Sequence, residues 1–450
     1  GGVTTGGIGT VNIGEIRNGQ YYDLKAIIEQ DKEQYIKDVT IEGESILSIL
    51  NNNNLKTGYY YFVANGEKYP VHMITLDGNQ HFTENKIFGD SYDVATASTY
   101  AQNMVIVKVN GDLEIDKGVT VAPYYDVNYG GPKGFTLYVT GKLTNKGTID
   151  NSHGAKAEGQ NVYLWKNTDG TYETVPADGA SGGAAVHVQN GNSKYTPGNR
   201  GTSGVGRQTG GGGSGSGSSS YHGLSNSGAG SAGTSYSGGT GGGESNAENG
   251  RSDQAAAGSG KSNGGAGGNG ITGTSNHQAG GGAGNPGGTG SSKGGNGTGG
   301  LLNIYANEYQ NNGTIQALGS NGAGGGGASG GGSINIFTNQ SIGIDQLGVI
   351  TETRYEEIKG KTSNVGGVTT GGIGTVNIGE IRNGQYYDLK EIIEQDKEQY
   401  TKDVTIEGES ILSIINNNNL KSGYYYFVVN GEKYPVHMIT LDGNQHFTEN

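Results

Sequence analysis

The chain has 450 residues, 90 of them glycine and only 7 proline, with no cysteine and a formal net charge of −13. Glycine at one residue in five, against an ordinary share of roughly 7%, with no strict Gly-X-Y period, excludes collagen and an ordinary globular enzyme. The missing cysteines exclude disulfides, thiolate metal sites and cysteine nucleophiles, and the acidic balance disfavours nucleic acid as a partner. No run of eighteen apolar residues is present, so this stretch of sequence has no transmembrane helix.

The stretch 1–85 returns at 366–450 without a gap and with five differences: Ala26 against Glu391, Ile36 against Thr401, Leu50 against Ile415, Thr57 against Ser422 and Ala64 against Val429. Two domains that merely shared a fold would have drifted further, so the expected reading is an excerpt from a tandem array with a period of 365 residues. So long a period describes whole modules in a row, not the short rungs of a solenoid. Both copies are acidic, which favours an extended, mutually repelling array.

In chain order, residues 1–90 are expected to form a small α+β domain, one helix on a three-stranded meander, with residues 366–450 as its second copy preceded by a strand at 374–381. "DLKAIIEQDKEQYIKD" places Leu24, Ile27, Ile28 and Tyr35 on one helical stripe behind Asp23 as N-cap. In the second copy Asp388 and Glu391 complete a capping box that Ala26 cannot make. Asn65-Gly66 and Asp77-Gly78, flanked by β-branched and aromatic residues, predict two hairpins. His72, Asp77 and His81 are weak metal candidates, since a turn at Asp77-Gly78 would bring the two histidines together; strand-surface histidines are the plainer reading.

Residues 91–200 and 301–365 carry a second pattern, an alternating strand, a Gly or Asn, and a Gly-x-apolar step. It supplies Ile106, Val109, Leu113, Gly118 and Val121, then Leu137, Val139, Leu143, Gly147 and Ile149, then Leu302, Ile304, Tyr309, Gly313 and Ile315, with Ile334 and Ile336 as a fourth instance. Short alternations separated by Gly/Asn corners are what the rungs of a parallel β-helix need. The fold class expected is mainly β, with β-helix-like rungs. Near 100–165 and 300–345 this pattern resembles the glycine-rich β-helical segments of bacterial surface adhesins.

The glycine tracts read as insertions between rungs, the largest being 201–300. Within it Gly264, Gly267, Gly270 and Gly273, then Gly281, Gly284, Gly287 and Gly290, then Gly294, Gly297 and Gly300 recur every third position. Three residues per turn is the polyproline II period, and helices with a bare backbone every third residue can bond laterally. The expectation is a bundle of polyglycine II helices, similar in kind to the glycine-rich sandwiches of some phage tail-fibre tip adhesins and of an insect antifreeze protein.

Gly260-Lys261-Ser262 lacks the first glycine of a phosphate-binding loop, which would fall at Ala255, and Gly268–Gly273 satisfies G-x-G-x-x-G as any glycine tract would. Asp112, Glu114 and Asp116 alternate as on a solvated strand face. No catalytic residues and no cofactor are expected. The functional expectation is a structural module of a long tandem-repeat extracellular filament or stalk on a bacterial surface, its partners being neighbouring repeats or identical chains. The alternative is a carbohydrate- or receptor-binding adhesin or phage tail fibre, and less favoured still is a polysaccharide-degrading enzyme.

Overall fold

A computed structural model of the chain describes residues 14–17, 20–23, 40–52, 55–94, 102–126, 130–154, 162–166, 168–170, 172–175, 187–188, 195–196, 298–321, 328–339, 360–361, 371–382, 385–389, 405–416, 420, 422–441 and 443. The described chain is mainly β; the α-helices that lie wholly within the described residues are single turns at Ile46–Leu50 and Ile411–Ile415. The helix expected after Asp23, the Glu391 of its capping box and every glycine of the three-residue series except Gly300 lie outside the described residues.

The largest sheet has eleven strands. Along it Thr40–Gly43 pairs in parallel with Gly58–Ala64, which turns back through a hairpin onto Glu67–Asp77. From there every neighbour is parallel: Glu67–Asp77 to Met104–Asn110, then Gly134–Asn145, Leu301–Asn311, Ser333–Thr338 and Thr375–Arg382. The antiparallel strand Gln385–Asp388 closes that edge. A second, four-stranded sheet pairs Lys86–Phe88, Thr120–Pro123, Thr148–Asp150 and Thr314–Gln316, again all parallel.

Alternation along each strand decides which side chains meet. Val105, Phe135, Leu302, Ile334 and Val376 are successive partners across the large sheet, as are Val107, Leu137, Ile304, Ile336 and Ile378. These columns share one apolar core with Val121, Ile149 and Ile315 of the second sheet. Fully burying each such side chain stabilises by about 1.5–3 kcal/mol. Ile106, which the sequence pattern groups with the inward residues, faces the other way and packs with Met104 under the helix Ile46–Leu50.

That opposite face is also covered. The helix is held by a reciprocal capping box between Ser45 and Ser48. The hydroxyl of Tyr138 donates to Asn51, and the Lys108 ammonium donates to the carbonyl of Asn52 at 3.1 Å. Further along the same face Tyr138 stacks on Tyr305 with ring centroids 4.6 Å apart. Beside the rings runs a polar ladder: Asn377 donates to Asn335 at 2.8 Å, Asn335 to Asn303 at 3.1 Å, and Asn303 to the Thr136 hydroxyl at 3.2 Å. All four residues are buried, so identical amides satisfy one another where water cannot.

The Gly/Asn steps are stacked corners. Asn145 and Asn311 each accept from the amide of the glycine two residues on, and Asn145 donates to Asn311 at 2.7 Å. Where glycines lead into strands, the backbones bond side to side: Gly154 donates to Thr298, Gly299 to Gly330, and Gly331 to Gly372, at 2.7 to 3.1 Å. A Cβ on Gly332 would lie 2.2 Å from the Gly300 carbonyl oxygen, and one on Gly374 would lie 1.8 Å from that of Gly332. Only a bare backbone permits this spacing.

Of the two hairpins expected in the duplicated stretch, the first copy forms one. Asn65-Gly66 is a hairpin turn, with both residues at positive φ, 52° and 78°. Asp77-Gly78 is a corner instead: Gln80–Phe82 runs on and pairs in parallel with Leu113–Ile115, so the three-stranded meander is not formed. The strand expected at 374–381 is observed as Thr375–Arg382.

The two copies also occupy different sheets. In the first copy Gly14–Arg17 and Gln20–Asp23 form a separate two-stranded sheet, while Thr40–Gly43, Gly58–Ala64 and Glu67–Asp77 belong to the large one. In the second copy Thr375–Arg382 and Gln385–Asp388 belong to the large sheet, and Thr405–Gly408, Gly423–Val429 and Glu432–Met438 form a separate three-stranded one.

Candidate functional site

The structure does not gather His72, Asp77 and His81; each engages different neighbours. His72 is buried, its Nδ1 2.7 Å from Oδ2 of Asp93, and its ring stacks on Tyr59 at 4.2 Å. Asp93 also accepts from the amide of Asp90 and from Asn103, so its carboxylate is fully engaged inside the protein. Burial, then the charges of Asp93 and Asp90, push the Tyr59 phenol well above its usual range. A buried imidazole paired to a buried carboxylate under a neutral phenol positions the turn Ser91–Asp93 against the sheet. Asp77 accepts from Asn110 at 2.9 Å.

His81 instead joins the carboxylates that alternate after Asp112. Gln80–Phe82 and Leu113–Ile115 place His81 beside Glu114 as direct partners, both pointing outward between the buried Leu113 and Ile115. Nε2 of His81 lies 2.9 Å from Oδ1 of Asp116, and Lys146, on the next corner, lies 2.6 Å from Oε1 of Glu114. The His81 ring is raised above its ordinary pKa chiefly by the hydrogen bond to Asp116, against desolvation, with the Asp116 and Glu114 charges adding to the rise and Lys146 opposing it. Glu114 is lowered and Lys146 raised, each chiefly by the hydrogen bond to the other.

Potential ligand atoms of His81, Glu114 and Asp116 all lie within 4.8 Å of one another. Those are suitable types for zinc, which takes imidazole and carboxylate ligands in groups of three or four. A metal would have to displace Lys146 from Glu114 and remove the proton by which Nε2 of His81 donates to Asp116. Both the His81–Asp116 and the Lys146–Glu114 contacts are exposed, so water and salt screen them. Asp112 serves the backbone: its Oδ1 accepts from the amide of Lys142 at 2.8 Å, where the Gly134–Asn145 strand bulges. None of these groups presents a nucleophile beside a general base.

Asp93 and Lys146 are the partners sequence reasoning missed. The signal for Lys146 was present, since it stands 32 residues after Glu114, as Asn335 stands 32 after Asn303. No comparable spacing links His72 to Asp93, which are 21 residues apart. Among the described residues no helix is long and apolar enough to cross a membrane. No protein-family model matches the chain, and neither a curated protein nor a solved structure matches it.

Proposed function

We propose that the chain is a structural module of a long tandem-repeat extracellular filament or stalk on a bacterial surface, and that its large sheet winds as a parallel β-helix from Glu67 to Arg382. The observation that carries this reading is the lateral register. Chemically matched residues recur in columns, with Asn335 32 residues after Asn303 and Asn377 42 after Asn335. Stacking of this kind makes a rod whose stiffness comes from backbone hydrogen bonds along its axis, and a rod repeated every 365 residues supplies reach. The acidic duplicated stretches keep neighbouring units apart and soluble. Negative-stain electron microscopy of proteins with one, two and four repeats tests the reading: contour length grows in equal steps per repeat, and compact particles of unchanging length reject it.

A glycan-binding adhesin is the second reading, favoured by the exposed rings of Tyr61 and Tyr92. Tyrosine offers a flat apolar face with a polar tip suited to sugars. Binding on a glycan array that Tyr61→Ala or Tyr92→Ala abolishes would support it.

A further inference from the structure

The same residues are buried in one copy of the duplicated stretch and exposed in the other. Leu47, on the first copy's helix, is 8% exposed and its counterpart Leu412 is 71%. Tyr69 is 3% exposed and Tyr434 is 39%. Towards the other end of the stretch the asymmetry reverses, Tyr21 being 50% exposed and Tyr386 3%. Sequence cannot cause these differences, because the residue is identical at Leu47/Leu412, Tyr69/Tyr434 and Tyr21/Tyr386. Context causes them.

In the first copy the covering element is visible. Glu67–Asp77 pairs with Met104–Asn110, and Met104, Ile106 and Tyr138 pack onto the helix Ile46–Leu50 and the strands beside it. In the second copy Glu432–Met438 pairs only with Gly423–Val429 among the described strands. The helix Ile411–Ile415 leaves Ile411, Leu412 and Ile415 in solvent, although its Ser410–Ser413 capping box is already formed.

From this we infer that the duplicated stretch is not one domain but the end of one folding unit, which includes Asp23 and Leu389, followed by the start of the next, which includes Thr40 and Thr405, and that the exposed face of 405–441 docks a further copy of this chain's own segment 86–388, carried by a following repeat of the same polypeptide. The inference rests on the tandem-repeat reading. Delivery within one polypeptide is favoured because this chain's Met104–Asn110 is already paired on both sides, by Glu67–Asp77 and by Gly134–Asn145. A separate molecule could offer that strand only by opening its own stack. One edge of the face supplies backbone donors and acceptors for a parallel strand, and the apolar helix supplies the burial, which together are the requirements of strand addition.

Amide hydrogen exchange tests this on the whole chain and on the same chain extended after Asn450 by a second copy of residues 86–388. The peptide 423–438 differs in mass from its counterpart 58–73 because Val429 replaces Ala64, so the two are read separately. In the unextended chain 58–73 is expected to be strongly protected and 423–438 weakly. In the extended chain 423–438 gains protection approaching that of 58–73, and Leu412→Asp removes the gain while leaving the melting of the unextended chain unchanged. Equal protection of both peptides in the unextended monomer, or no gain on extension, overturns the inference. Protection of 423–438 that appears in the unextended chain only at concentrations where it self-associates overturns delivery in cis. The filament reading fails separately, if extended arrays do not lengthen under the microscope.

Discussion

Removing the middle rung of the asparagine ladder is the sharpest test of how the stack is held together. Asn335 has no measurable exposure, donates to Asn303 at 3.1 Å and accepts from Asn377 at 2.8 Å. Asn335→Ala therefore strands an acceptor on Asn303 and a donor on Asn377, both in buried residues. A buried polar group left without its partner costs about 1–3 kcal/mol, so the two orphans together cost about 2–6 kcal/mol. Asn377→Ala breaks the single rung between Asn377 and Asn335 and should cost about half as much. Once Asn335 is gone, the second substitution has less left to break, so the double variant should fall short of the sum by roughly 0.5–3 kcal/mol. Denaturant unfolding followed by far-ultraviolet circular dichroism measures all three. A loss below about 0.5 kcal/mol for Asn335→Ala, the range of ordinary surface changes, would refute the argument that the amides depend on each other.

Three other outcomes follow from the described contacts. In an NMR titration His81 should lose its proton above its ordinary value of 6.5, and Asp116→Asn should bring it back towards that value. Because the folded-state value is raised, the stabilisation from the His81–Asp116 pair is complete below about pH 6.5 and disappears as pH rises through the folded pKa. Burial lowers the Lys108 ammonium below 10.5, Asp77 opposing, so the unfolded state binds the extra proton between the two values. The chain should gain stability as pH rises across that window, and Lys108→Met should flatten this gain in a comparison of the two unfolding profiles. Gly374→Ala should lower the melting temperature sharply, since its Cβ would meet backbone rather than a movable side chain; an unchanged midpoint would contradict the close approach of the glycine-flanked segments.

Much of the stack was legible from period-two alternation and from the Gly-x-apolar corners. Leu143 partners both Leu113 and Tyr309, and Val121, Ile149 and Ile315 form one column, as the recurring pattern implies. Orientation upstream of the corner was less legible. In Met104–Asn110 every side chain up to Val109 is buried, so hydrophobicity alone does not say which face Ile106 takes. The Asp77-Gly78 corner was misread because a corner and a hairpin both need a glycine at positive φ, 76° here, and only the next strand's direction tells them apart. The charged corner escaped for a related reason. His81 and Asp116 are 35 residues apart and become neighbours only once the lateral register is known.

The pairing of Gly134–Asn145 directly with Leu301–Asn311 separates two properties that most folds tie together. Asn303 stands 167 residues after the Thr136 it bonds, yet the two strands meet as closely as any others in the sheet. A chain that leaves and returns at neighbouring positions puts no strand of the large sheet between them, whatever its own size. Which strands become neighbours is thus decided by matching side chains and backbone along each strand and not by their separation in the chain.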